Sequence, residues 1–302
     1  MPLKEIKFYL IQGPHRGKYA FRSFSPKKSG RWGNIVSVDD INDAKYVVVV
    51  QSSDIDLSHF PPERIVYIQR EPDEFIFAQH MWDWVSSLSY RFNLVDNYAV
   101  QQWDAINKSY DELKNMDFPV KTKDLSWVTS NKGDGSQPPG IQVLTGHKLR
   151  MRFLQNFLSK FPDKIDLYGR GLLGPKYDYK CNKGELFYKW DGHEEYRYTL
   201  SFENSSQRGL FSIITDGILA GCMPIYWGCL NLEDFFPKGS FIRLDITKED
   251  APERAIEIAR SDFRERNLDA LREAKELIID KYNIWPTVHR ILNELEVQNA
   301  PH

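Results

Sequence analysis

A polar turn between an apolar strand and an apolar helix carries the residue types best suited to chemistry. The segment from Tyr196 to Gly228 reads YRYTLSFENSSQRGLFSIITDGILAGCMPIYWG, so that a strand, the turn, a helix and a second strand follow one another. A helix that starts at such a turn presents backbone N–H groups at the positive end of its dipole, where anions bind. The pattern predicts a phosphate site built from Glu203, Asn204, Ser205, Ser206, Arg208, Gly209 and Ser212.

The order of these elements indicates where a ligand would lie. The segment MPIYWG, from Met223 to Gly228, is short and apolar, as is typical of a buried parallel strand. In an open parallel sheet, ligands bind beyond the carboxyl ends of the strands, and FENSSQRG follows such an end. The sequence therefore predicts a nucleotide-binding βαβ unit.

Several segments of the chain resemble segments of the α-1,3/4-fucosyltransferases, glycosyltransferase family 10. FENS with its helix and PIYWG, followed by FFPKGSFIRLD, carries the resemblance most specifically. Weaker matches, in the family's order, are RIVYIQREP, SLSYRFN, LSWVTSN, KLRMRFLQNFL and IDLYGRG. The similarity covers residues 60 to 245 and implies an α/β protein of the GT-B fold, with two Rossmann-like domains facing across a cleft. It further implies that the second domain binds a nucleotide sugar and the first a glycan acceptor.

The resemblance implies a catalytic role for Glu71, which follows the strand RIVYIQ and matches the acidic residue that serves as the family's base. Pro72 disfavours a helical conformation at Glu71. Inverting transfer needs a base that removes the proton of the acceptor hydroxyl as it attacks the anomeric carbon. The alternative is that Glu71 is a solvated loop carboxylate, as the neighbouring Asp73 and Glu74 are expected to be.

The leaving diphosphate requires positive charge, and Arg150 matches the arginine near the start of a helix in the family. Gly169, which follows the strand KIDLY, is expected to let the backbone approach the donor or to turn the chain. Arg152 is expected to face solvent.

One part of the family pattern is missing. The Thr-Glu-Lys triplet that holds the ribose and diphosphate in the family is replaced by Ser212, Ile213 and Ile214. Arg208 is the residue best placed to supply the absent charge. GDP-fucose is the donor that the resemblance implies, and UDP-xylose is the alternative, because Asp216 and the following AGCMP also resemble exostosin-like transferases. A third hypothesis is a catalytically inactive carbohydrate- or nucleotide-binding module.

The length of 302 residues is typical of two domains. Strands are predicted near residues 5–11, 45–51, 64–69 and 84–89, and a Gly- and Pro-rich stretch at 132–140 marks the boundary. Helical spacing of apolar residues then predicts an amphipathic helix from residue 148. We expect an acceptor domain over 1–135, a donor domain over 136–280, and a helical tail over 281–302 that packs on the first domain.

The amino-acid composition bears on which partners, metals and cofactors are expected. Forty basic residues are balanced by 42 acidic ones, and a net charge of −2 gives no reason to expect nucleic acid. The three cysteines lack metal-ligand spacing, so neither a metal nor a cofactor beyond the donor is expected. No membrane segment or signal peptide is evident, which predicts a cytoplasmic protein, or alternatively a lumenal catalytic domain without its anchor.

Overall fold

The computed structural model describes residues 4–12, 21–50, 55–68, 90–92, 106–131, 146–172 and 177–299. Its strands are β1 (Ile6–Gln12), β2 (Arg31–Trp32), β3 (Ile35–Ser37), β4 (Tyr46–Val50), β5 (Ile65–Ile68), β6 (Tyr90–Phe92), β7 (Lys123–Val128), β8 (Asp166–Tyr168), β9 (Tyr196–Phe202), β10 (Met223–Trp227) and β11 (Ile242–Arg243). Its α-helices are α1 (Tyr110–Asn115), α2 (Gly146–Lys160), α3 (Ile213–Leu219), α4 (Ala251–Ala259), α5 (Phe263–Arg266), α6 (Leu268–Asp280) and α7 (Ile284–Gln298). The chain divides into two compact units.

The first unit combines Met1–Asp104, Lys108–Met116 and Ile278–His302. Within the described residues its sheet has six strands in the order β2-β3-β1-β4-β5-β6, and only the β2–β3 pair is antiparallel. All five residues of β4, YVVVV, are buried, as expected for a parallel strand covered on both faces.

Helix α7 belongs to the core of this first unit. The side chain of Asn283 caps the helix by accepting the N–H of Trp285 at 3.2 Å, and it donates to the carbonyl of Phe24 at 2.7 Å. The Trp285 indole donates to the carbonyl of Phe21 at 2.9 Å and stacks on the Phe21 ring, with centroids 4.3 Å apart. Residues far apart in sequence therefore share one aromatic core.

The second unit, Ala105–Asn107 with Asp117–Leu277, contains a parallel sheet. Within the described residues its order is β11-β10-β9-β7-β8. The β7–α2–β8 and β9–α3–β10 connections run in opposite directions from the central β7–β9 pair, so right-handed crossovers put α2 and α3 on opposite faces. The order reverses between β7 and β9, which makes this pair the switch point of the sheet.

Helix α2 confirms the predicted amphipathic helix, and Phe153, Leu154, Phe157 and Leu158 are buried. The ring of Phe153 meets Phe202 edge to face at 5.1 Å, and Trp127 at 5.8 Å. These aromatic contacts fix the helix against both strands of the switch point.

The division between the units falls before β7, whereas the sequence placed it near residue 136. Strand β7 pairs with β9 through Lys123 and Tyr196, so it belongs to the second sheet. The Gly- and Pro-rich stretch at 132–140 lies outside the described residues, but in sequence it lies between β7 and α2 of one unit. A loop within a domain has the same composition as a linker, which explains the error. Across the described ranges, no helix has the length and apolarity needed to span a membrane.

Candidate functional site at the switch point

The carboxyl edge of the second sheet brings together the turn after β9 and the start of α2. The N–H of Gly146 donates to the carbonyl of Asn204 at 2.9 Å. A Cβ on Gly146 would lie 2.5 Å from the carbonyl carbon of Asn204, so a side chain at this position would push the helix away from the turn. The glycine therefore permits α2 to begin directly beside the switch point.

Glu203 is folded inward. It is 1% exposed, and its carboxylate accepts the backbone N–H groups of Ser212 at 2.8 Å and Ile213 at 3.0 Å. The Ser212 hydroxyl adds a third contact at 3.2 Å. Burial raises the pKa of Glu203, while these hydrogen bonds and the charge of Arg150 act in the opposite direction.

The prediction that this helix presents open amides to a phosphate is therefore wrong for Ser212 and Ile213. A carboxylate of the same chain already lies at the positive end of α3 and satisfies two of its orphan donors. Glu203 and Ser212, both predicted to bind the donor, are engaged with each other. A phosphate at this edge must find its positive charge elsewhere.

Gly228 makes the inward position of Glu203 possible. It has φ of +146°, and a Cβ there would lie 2.4 Å from Cγ of Glu203. The Tyr226 hydroxyl lies 3.4 Å from the carboxylate and accepts the N–H of Cys229 at 2.8 Å. The end of β10 is thus built around the buried carboxylate.

Arg150 projects from α2 to the same edge. It is 3% exposed, its Nη1 donates to the carbonyl of Phe202 at 3.0 Å, and its Nη2 contacts Nδ1 of His147. Its Nε is buried and has no partner among the described residues. Burial lowers the pKa of Arg150 to about 10, and Glu203 partly offsets this, so the guanidinium stays charged near neutral pH.

A second unsatisfied group lies at the end of β7. The hydroxyl of Thr129 is buried and has no partner in the described part of the chain, while the Thr129 N–H donates to the carbonyl of Tyr168 at 2.9 Å. Buried polar groups in native proteins are nearly always hydrogen-bonded, so an unpaired one calls for an explanation. Two such groups are Thr129 Oγ1, directly after β7, and Nε of Arg150 on α2, whose guanidinium bonds the last carbonyl of the adjacent strand β9.

Three other residues predicted to bind the donor, Gly169, Ser206 and Gly209, make contacts within the protein. A Cβ on Gly169, at φ of +146°, would lie 1.4 Å from the carbonyl oxygen of Thr129, so a neighbouring strand end requires this glycine. The Ser206 hydroxyl donates to the carbonyl of Gly228 at 3.1 Å, and the Gly209 N–H donates to the Asn231 side chain at 2.8 Å. These contacts shape the turn from within.

Arg208 and Ser205 differ in exposure. The Arg208 side chain is 58% exposed, and its guanidinium lies 3.9 Å from the carboxylate of Asp234. Ser205 is buried at 6%. Arg208 is therefore the predicted cation of the turn that can reach a ligand from solvent.

Glu71, the predicted base, lies outside the described residues. Among residues that the sequence analysis missed, Thr129 could have been found from its place directly after the apolar strand LSWV, and Gly228 from its place after PIYW. Nothing in the sequence around His147 indicates its contact with Arg150, apart from the predicted helix that contains both residues. In the ranges that the structure describes, no three His, Cys, Asp or Glu side chains are grouped so as to hold a metal ion.

No protein-family model and no curated protein matches this sequence. The solved structure of the DNA-modifying enzyme β-glucosyltransferase is similar, with a TM-score of 0.53 and 12% identity over 96% of this chain and all of that chain. An α1,3-fucosyltransferase gives a TM-score of 0.45 and 14% identity over 98% of this chain and 91% of that chain. A mutant of TarM from S. aureus gives 0.47 and 11% identity over 86% and 52%.

These comparisons concern the fold. The predicted class, α/β with two Rossmann-like units of the GT-B type, is confirmed by the two predominantly parallel sheets and by the likeness to the β-glucosyltransferase. Membership in glycosyltransferase family 10 stays a prediction.

Proposed function

We propose that this chain is a glycosyltransferase that moves a sugar from a nucleotide sugar to a hydroxyl group of a glycan. The observation that carries the proposal is the unpaired, buried Nε of Arg150 at the switch point of the second sheet. A guanidinium held in that position supplies a charged donor to a diphosphate, the leaving group of such a transfer.

Positive charge at this edge comes from side chains. Because Glu203 occupies the start of α3, the diphosphate depends on Arg150 from the α2 side and on exposed Arg208 from the turn. The hydroxyl of Thr129 offers a further donor. Arg150 is held by the carbonyl of Phe202 and by His147, so its orientation is fixed before a ligand arrives.

The proposed transfer inverts the anomeric centre and needs no metal. Glu71 takes the proton of the acceptor hydroxyl while the acceptor oxygen forms a bond to the anomeric carbon. The bond from that carbon to the phosphate oxygen breaks, and the nucleoside diphosphate leaves with the electron pair. The two arginines balance the charge that develops on this leaving group.

The donor remains GDP-fucose by family resemblance, with UDP-xylose as the alternative. Ile214 is fully buried, and the Ile213 N–H is bonded to Glu203, so α3 does not offer the side chains with which family 10 holds the ribose. The β-glucosyltransferase of similar fold has uridine diphosphoglucose as its substrate, and this supports a uridine nucleotide sugar as the alternative donor.

Calorimetric titration with GDP and with UDP tests the proposal. We expect saturable binding of one nucleotide and slow hydrolysis of the corresponding sugar donor by the same preparation. Binding of glycans without either nucleotide would instead support the inactive carbohydrate-binding module. Binding of neither GDP nor UDP would overturn the donor site at the switch point.

A further inference from the structure

A pocket of about 320 Å³ lies at the amino edge of the second sheet, opposite the switch point. Lys121 precedes β7, Arg197 is the second residue of β9, and Arg264 bonds the carbonyl of Gly221 just before β10. With Arg272, these residues give the pocket four cationic side chains, against the single carboxylate of Glu265 in its wall. Two further carboxylates lie just outside the wall, with Asp269 2.9 Å from Arg272 and Asp124 3.3 Å from Arg197, so four cations meet three carboxylates.

Part of this charge has a structural use. The amine of Lys121 donates to the carbonyls of Ala220 at 2.6 Å and Glu194 at 2.8 Å, and Nε of Arg264 donates to Gly221 at 2.9 Å. Both cations therefore cap the carbonyl end of α3, where positive charge is favourable. Arg197 is paired through two hydrogen bonds with Glu265, at 2.6 and 3.1 Å.

The guanidinium of Arg264 is not fully neutralised by these contacts. Nη1 of Arg264 shares Glu265 with Arg197, and Nη2 of Arg264 has no hydrogen-bond partner among the described residues, although the side chain is only 8% exposed. Burial lowers the pKa of Lys121, and the nearby charge of Arg264 lowers it further. Arg197 and Arg264 thus share the one carboxylate of Glu265, while Lys121 has no carboxylate partner within the described ranges.

The remaining wall of the pocket is apolar. Phe118 and Leu268 line it, and Val120 is 83% exposed beside them. An apolar wall next to a partly unpaired guanidinium fits a ligand with two parts, an oxyanion and a hydrocarbon body.

We propose that this pocket binds a small organic anion, with its phosphate or carboxylate group on Arg264 and its apolar body against Phe118 and Val120. The site is separate from the switch point, and it does not depend on the proposed transferase function. Phenyl phosphate and benzoate are suitable probes, because each joins an oxyanion to an apolar ring.

The test is a calorimetric titration of the whole chain with both probes, with inorganic phosphate and benzyl alcohol for comparison. We expect a Kd at or below about 1 mM for at least one aryl anion, and weaker binding of inorganic phosphate and of the neutral alcohol. Arg272→Ala and Val120→Asp change exposed side chains of the wall and should each weaken binding about tenfold, a factor that corresponds to about 1.4 kcal/mol.

Arg266→Ala is the matched control, since Arg266 is exposed on α5 and paired with Asp262 outside the pocket wall. Binding should be unchanged in this variant and in the presence of saturating GDP or UDP. Failure of both aryl anions to bind would overturn the proposal. Binding that ignores Arg272→Ala and Val120→Asp, or that GDP or UDP displaces, would equally overturn it.

Discussion

The carboxylate of Glu203 and the backbone N–H of Ser212 are joined by a hydrogen bond of 2.8 Å across nine residues of chain. One side chain thereby ties the end of β9 to the start of α3, and the turn between them becomes a closed loop. The loop presents Arg208 to solvent while its two ends are fixed. The negative group at the helix start belongs to the protein itself, so in the proposed donor site arginine side chains would supply the positive charge.

Replacement of Glu203 by Gln tests this buried contact. The amide keeps one oxygen but turns an NH2 group toward backbone donors, so we expect a loss of about 1 to 3 kcal/mol in the free energy of unfolding. The raised pKa of Glu203 adds a pH signature. Its contribution to stability is complete below the unfolded value near 4.5 and is lost as pH rises through the higher folded value. Urea unfolding at several pH values should show the widest gap from wild type in acid.

Glu233→Gln is the control of opposite sign. The Glu233 carboxylate pairs with Arg243 through two contacts of 2.6 Å, and this hydrogen bonding lowers its pKa. Its stabilising contribution is present above the unfolded value and is lost as pH falls, so the gap between Glu233→Gln and wild type should narrow in acid. A Glu203→Gln gap that also narrows in acid would contradict the raised pKa.

Arg150→Ala should weaken binding of a nucleoside diphosphate by about 1.5 to 3 kcal/mol, the size of a charge-assisted hydrogen bond. Binding of the nucleoside without phosphates should hardly change. Arg152→Ala removes an exposed arginine from the same helix and is the matched control. Calorimetry on folded variants, checked by circular dichroism, measures both. Equal changes in diphosphate affinity for the two variants would mean that Arg150 is not part of the donor site.

Arg208→Ala should show the same selectivity for phosphates, since its guanidinium is the exposed cation of the turn. If Arg150 and Arg208 hold one diphosphate, the losses in the double variant will not add. Unchanged diphosphate affinity in Arg208→Ala, or equal weakening of nucleoside and diphosphate binding, would mean that Arg208 does not replace the lysine found in glycosyltransferase family 10.

Glu71→Gln should lower turnover about 10²-fold or more while nucleotide affinity stays nearly intact, as expected when a general base is removed. Turnover at saturating donor and calorimetry with the nucleotide separate the two effects. Glu74→Gln, three residues further along the sequence, should keep wild-type turnover. A Glu71→Gln variant that retains most of its turnover would rule out Glu71 as the base.

Transfer should continue in EDTA. The donor half of the sequence has no Asp-x-Asp pair at a strand end, and Arg150 and Arg208 are proposed to carry the charge that a metal would otherwise supply. Turnover is compared before chelation, after chelation, and after return of Mn²⁺ or Mg²⁺. Activity that disappears with EDTA and returns with either ion would contradict the proposed mechanism.

Local patterns predicted much of the fold. The strands at 46–50, 65–68, 196–202 and 223–227 are short apolar runs, and α2 carries its apolar residues at helical spacing. The place of β7 was not predictable in this way, because its pairing joins Lys123 to Tyr196 across 73 residues. Sheet membership depends on such distant pairing, whereas the formation of a strand depends on local sequence.

The sequence indicated the polar turn between β9 and α3, but it did not indicate the direction in which the side chains of the turn point. An acidic residue after a strand has the same sequence signature whether it faces a ligand or turns back to a helix start, as Glu203 does. The unpaired Nε of Arg150 arises from tertiary burial and has no linear pattern. Gly169 was predicted to approach the donor or to turn the chain, whereas the close neighbour that its missing Cβ accommodates is the carbonyl of Thr129 at the adjacent strand end.

The placement of α7 has a consequence for synthesis of the protein. The first unit begins with β1 but needs Asn283 and Trp285 to complete its bonds to Phe24 and Phe21. During translation, Asp117–Leu277 emerges in full before α7 exists, so the inserted second unit can fold first. The earlier strands of the first unit therefore cannot complete their contacts with Asn283 and Trp285 until α7 has been synthesised.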